Sequence, residues 1–91
     1  MNPEQNKIAQ LKEAAAYVHV HRLNYAQALY ESILAKEPRS RPALEGLIGV
    51  LTQLHQVATA RQYLAAYIEK ESDPLNRAWA SDELIRLGHM L

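Results

Sequence analysis

Between Tyr25 and Pro38 the chain reads YAQALYESILAKEP, in which Tyr25, Ala26, Leu29, Tyr30, Ile33 and Leu34 recur at intervals of three and four residues. That spacing predicts one apolar stripe along an α-helix, and Pro38, which cannot continue the helix, predicts its end. Displacing the chain by 34 positions superposes the stripe on a second one: Ala26 falls on Ala60, Leu29 on Tyr63, Tyr30 on Leu64, Ile33 on Tyr67 and Leu34 on Ile68. The same displacement carries Tyr17 to Leu51, Val20 to Leu54, Leu23 to Val57 and Lys36-Glu37 to Lys70-Glu71, and His21, His55 and His89 stand at that interval. With only three glycines and no strand-like alternation, the pattern predicts an all-α chain built from a repeated pair of helices.

Local signals bound five helices at roughly 4–20, 25–36, 41–54, 57–71 and 74–89. Asn24 with Gln27 has the spacing of a capping box, Ser40 precedes a helix with Pro42 in its first turn, and Asp73-Pro74 is an N-cap followed by a proline at the first helical position. Ala26 and Ala60 are small enough to let the two helices of a pair approach closely, with Tyr30 and Leu64 filling the space one turn along.

A 34-residue helix pair resembles the tetratricopeptide repeat, whose first helix carries Trp, Leu-Gly and Tyr and whose second carries Ala-x3-Phe and then Pro. In the first unit Ala14 and Tyr17 take the small and aromatic places, Ala26-x3-Tyr30 the second pair, and Pro38 the close. In the second, Leu44, Leu47 and Leu51 follow the first-helix spacing and Ala60-x3-Leu64 the second, with Ser72 at the proline place. Gln10 and Glu13 stand where Trp and Leu are usual, and Ile48 where a small residue is usual. The resemblance implies a single domain over 1–91, a right-handed helical-hairpin stack of five helices: repeat one over about 7–40, repeat two over about 41–74 and a closing helix over about 75–91.

Composition narrows the partners. The 91 residues are 48% hydrophobic and 22% charged, enough for one small core. Ten basic residues balance ten acidic ones without a block of either sign, so nucleic acid and anionic membrane are not expected as partners. The absence of cysteine excludes disulfides and thiolate zinc sites. The polar segment MNPEQNKIAQ lacks a signal-peptide core and no apolar run reaches membrane length, so a cytoplasmic location is expected.

Four histidines raise the question of a metal. His19 and His21 point about 200° apart on a helix, whereas chelation needs neighbours at i,i+3 or i,i+4. His21, His55 and His89 recur at a turn where the tetratricopeptide family often has glycine, and histidine tolerates positive φ better than bulky residues do. A repeated turn residue is therefore expected, with no metal and no cofactor. No Gly-rich phosphate loop, nucleophile elbow or zinc-spaced His and Glu pair is present, so no enzyme activity is expected. Glu69, Glu71 and Asp73 are expected to be solvated, Asp73 with a capping role, and the Arg39-Ser40-Arg41 loop reads as an ordinary soluble loop or, less directly, an anion site.

On the first helix Ile8, Leu11, Ala15 and Val18 lie within about 80° of one another at 100° per residue, a stripe separate from Tyr17. One repeat later the same places hold Pro42, Glu45, Gly49 and Thr52, and in the last helix Asn76, Trp79, Glu83 and Arg86. Because these equivalents are small or polar, the repeat's packing does not itself demand apolar residues there. The tetratricopeptide resemblance implies that first helices line a concave binding face. The expected groove therefore comprises Ile8, Leu11, Ala15, Val18, His19, Glu45, Gly49, Thr52, Gln53 and Trp79. Family members that clamp acidic chain ends carry Lys, Arg and Asn at such positions. Ile8, Leu11 and Ala15 replace them here, which points to a partner's hydrophobic amphipathic helix instead. Two other outcomes stay open: the first helix is rotated so that Ile8 and Leu11 pack inward, or two copies bury the stripe against each other.

With two and a half units, where about three are usual for a continuous core, the chain is expected to be marginal alone and stabilised by whatever fills its groove. In size, repeat number and groove character it also resembles the bacterial type III secretion needle-subunit co-chaperones. That resemblance implies an adaptor that holds the needle protein's C-terminal helix together with a second small helical chaperone. The alternative is a scaffold subunit or homodimer using the same surface as a permanent interface.

Overall fold

The computed structural model describes residues 3–90, with side chains from Gln5 onward. Met1, Asn2 and Leu91, which the expected domain includes, lie outside the described residues. Among those described there are five helices: α1 (Pro3–His19), α2 (Leu23–Lys36), α3 (Arg41–Gln53), α4 (Val57–Lys70) and α5 (Pro74–Gly88). All five begin and end within two residues of the expected limits.

Each helix packs on the next in sequence, and α1 also touches α3. The Cα envelope measures 38 × 30 × 17 Å; its thin dimension is about two helix spacings of 8–10 Å, so the chain forms two layers. α3 has neighbours on both sides and accordingly buries Ala43, Leu44, Leu47, Ile48, Val50 and Leu51. Ala14 of α1, Ala26, Tyr30 and Ile33 of α2, Ala60, Leu64 and Tyr67 of α4, and Ala80 and Leu87 of α5 complete the core. Ala26 and Ala60 are wholly buried, as their role in close helix approach requires.

The repeated histidines explain how two of the helix pairs turn. His21 and His55 adopt left-handed φ values of 61° and 60°. In the first turn His21 N–H donates to Val18 O and Arg22 N–H to Tyr17 O; in the second His55 N–H donates to Thr52 O and Gln56 N–H to Leu51 O. These paired bonds form a Schellman motif, used twice at the same offset, which satisfies helix-end carbonyls and reverses the chain. His89 departs from the pattern: its φ of −74° is right-handed, so the expected third turn does not form.

Helix starts divide into two kinds. Ser40 Oγ accepts from Ala43 N–H at 3.4 Å and Asp73 Oδ1 from Leu75 N–H at 2.8 Å, each ahead of a proline. The expected Asn24 capping box is absent. α2 begins at Leu23 after Arg22, without a side-chain cap, and Asn24 lies inside the first turn. Arg22 both closes the preceding Schellman motif and accepts the first bond of α2 from Ala26 N–H, so the turn itself sets the start.

Candidate functional site

α1 presents two faces. Ala14 is fully buried, and Leu11, Tyr17 and Val18 are half-buried against the core. Ile8, 44% exposed, and the exposed Ala15 and His19 lie on the outer side. The four-residue stripe is therefore not uniformly open: Leu11 serves the chain's own packing, Val18 is half-buried at the boundary, and Ile8 and Ala15 are left to another surface. The angular spread of about 80° is wide enough for its edge nearest Ala14 to tuck under α2 and α3.

Five of the expected groove residues converge. Ala15 and Val18 of α1 face Glu45, Gly49 and Gln53 of α3 across an open depression of about 240 Å³, whose lining is completed by Tyr30, Gly46 and Val50. Gly49 has nothing within 4 Å of where a Cβ would stand, so the floor is open to a side chain or backbone from outside. Ile8 continues the α1 wall toward its N-terminal end. His19 is exposed beside Val18.

Thr52 and Trp79 are placed elsewhere. Thr52 Oγ1 donates back to Ile48 O at 2.7 Å and borders a separate hollow with His55, Gln56, Thr59 and Met90. Gln53, the next residue, still lines the depression, so it is the rotation of about 100° per residue around α3 that turns Thr52 away. Trp79 is half-buried on α5, with its ring 5.9 Å from Tyr67 at 88° and the Arg41 guanidinium 4.6 Å above it. Its link to the depression runs through Arg41, whose Nε lies 3.5 Å from Glu45 Oε1. Trp79 thus fixes the rim charges and is not part of the floor.

Tyr30 and Gly46 were not foreseen as groove residues. Tyr30 belongs to α2, and its ring lies where a Cβ on Gly46 would stand, with the hydroxyl 2.6 Å from that point. A glycine within a leucine-rich helix costs roughly 1 kcal/mol relative to alanine. That cost is the signal by which the sequence marks a close approach at 46. Burial holds the Tyr30 phenol above its ordinary pKa, so it stays protonated.

A second polar cluster corrects the expectation of a solvated acidic group. Glu71 is buried. Its carboxylate accepts from Ser72 N–H at 2.9 Å, Asp73 N–H at 3.0 Å, Tyr67 Oη–H at 3.0 Å and Asn76 Nδ2 at 3.4 Å, while its carbonyl accepts from Arg77 at 3.3 Å. The Asp73 N–H bond, ahead of those from Tyr67 and Ser72, holds the carboxyl below the usual range against the opposing effect of burial. Tyr67 is in turn pushed up to about 12, first by burial and then by its bond to Glu71. Asn76 Oδ1 accepts from Arg41 at 3.0 Å, so this knot ties the α4–α5 turn to α3.

The Arg39-Ser40-Arg41 loop lies under a larger hollow of about 700 Å³ that also meets Lys7 and Lys70. Carboxylates already attend two of those cations: Lys7 pairs with Glu37 at 3.0 Å and Arg41 with Glu45. Among the described residues no group of three or more His, Asp or Glu side chains could hold a metal, and no helix is long and apolar enough to cross a membrane. Comparisons with protein-family models, with curated proteins and with solved structures found no match for this chain.

Proposed function

We propose that the chain is a non-enzymatic adaptor or chaperone that holds an amphipathic helix of a partner protein in the groove between α1 and α3. The observation carrying this reading is the convergence of Ala15, Val18, Glu45, Gly49 and Gln53 on one open depression, with Ile8 exposed beside it. Small residues at 15 and 49 let a helix come close, and apolar neighbours reward burial of its hydrophobic side at about 25 cal/mol per Å² before ordering costs. The tetratricopeptide-like stack, with first helices toward the groove, belongs to the same proposal.

The particular role that fits best is a type III secretion needle-subunit co-chaperone, with a second small helical chaperone as companion. Its test is a pull-down with the wild-type chain and with Ile8→Asp combined with Ala15→Asp, both residues being exposed. Wild type should recover a small secreted helical subunit and the double variant should not, with circular dichroism unchanged. Recovery of no such subunit by wild type would remove the secretion role.

The alternative is a scaffold subunit or homodimer that uses the same groove surface, where Ile8 is 44% exposed and Ala15 is exposed, as a permanent interface. Sedimentation of the pure chain distinguishes them: a stable homodimer favours the scaffold, a labile monomer rescued by partner favours the chaperone.

A further inference from the structure

Three tyrosine side chains on α2 and α4 have hydroxyls in confined surroundings, and two have partners. Tyr63 donates to Glu31 at 2.8 Å and Tyr67 to Glu71 at 3.0 Å. Tyr30 is 6% exposed, yet its hydroxyl makes no hydrogen bond among the described residues and keeps contact with solvent through the depression it lines. Water therefore meets the hydroxyl in the open groove, and a docked group that covered it without offering a hydrogen bond would remove that water without compensation. The repeat's packing does not call for the hydroxyl, since the equivalent place one unit later is Leu64. A glycine at 46 nevertheless clears the passage through which this ring reaches the α1–α3 side.

We propose that the Tyr30 hydroxyl is the groove's specificity contact: it selects a docked helix that presents an uncharged hydrogen-bonding side chain, Ser, Thr, Asn or Gln, at the Gly46 side of the depression. The inference rests on the groove reading above and names the chemistry of its occupant. A carboxylate would be desolvated against Ala15, Val18 and Val50, with no cation among the described lining residues to meet it. An ammonium would be desolvated against Ala15, Val18 and Val50 with the Glu45 carboxylate already paired to Arg41. A purely aliphatic residue would seal the hydroxyl from water and leave it unmatched. A neutral polar group gives the phenol a partner as donor or acceptor. The gain over an aliphatic residue is roughly threefold to tenfold in affinity.

The test is selection from a displayed library of 16-residue amphipathic helices with fixed leucine anchors and one randomised groove-facing position. The baits are wild type, Tyr30→Phe and Gly49→Trp, the last filling the open floor. Wild type should enrich Ser, Thr, Asn or Gln at the randomised position, and Tyr30→Phe should shift enrichment to aliphatic residues while melting at the wild-type temperature. Aliphatic enrichment by wild type, or the same residues with both baits, overturns the role of the hydroxyl and leaves the groove standing. Enrichment no greater for wild type than for Gly49→Trp overturns the groove reading and this inference with it. Failure of Tyr30→Phe to fold shows a structural hydroxyl and also overturns the inference.

Discussion

At the scale of single residues, the informative positions are those where a local rule is broken. Gly46 lies inside a helix and gives its space to the Tyr30 ring, so Gly46→Ala should lower stability by roughly 1–3 kcal/mol in urea unfolding despite alanine's better helix propensity. Glu71 carries the pH dependence. Its folded pKa is depressed, so its stabilisation is complete above the unfolded value of about 4.3 and is lost as pH falls through the folded value. Melting temperature should therefore drop on the acid side of pH 4, and Glu71→Gln should flatten that limb while melting lower at pH 7. Tyr67 acts with the opposite sign: its pKa of about 12 lies above the unfolded value of about 10, so stability is lost as pH rises between them. Neither Glu71's burial nor Tyr30's reach was legible in the sequence. Glu69 and Asp73 beside Glu71 make it look like one more solvated acid, and the donors that enclose it come from a turn whose path depends on how α5 docks.

At the scale of elements, periodicity and caps made most helices legible. The 34-residue offset located the histidine turns, and Ser40 and Asp73 marked the starts of α3 and α5. Asn24 misled because a Schellman turn hands the chain directly to α2, a backbone device with no cap-residue signature. The left-handed φ at His21 carries a steric cost that glycine avoids. His21→Gly should accordingly raise stability by roughly 0.5–1 kcal/mol after the unfolded-state entropy is offset, whereas His89→Gly should lower it. The groove was half legible: Ala15, Val18, Glu45, Gly49 and Gln53 converge, while Thr52 and Trp79 fall elsewhere. Where α1 divides inward from outward is set by its rotation against α2 and α3, and sequence spacing alone leaves that angle free. Leu11, packed against the core, should therefore tolerate aspartate badly, losing roughly 1–3 kcal/mol. Ile8→Asp should stay within about 0.5 kcal/mol.

At the scale of the whole molecule, α3 packs against α1, α2 and α4, and its remaining outer surface is the floor of the groove. A partner that binds only the folded chain adds stability by mass action, about 2.7 kcal/mol at a hundredfold excess over its dissociation constant. Placing the groove on α3 makes that stabilisation reach the element that holds more of the core than any other helix. The most direct measurement is site-specific photocrosslinking in the native host, with a benzophenone amino acid at Ala15 or Gly49 in the groove and at exposed Ala65 on α4 as control. Adducts from positions 15 and 49 to one amphipathic helical segment of another protein, with none from position 65, are the predicted result. Equal labelling from all three positions, or adducts from 15 and 49 solely to a second copy of this chain, would contradict it.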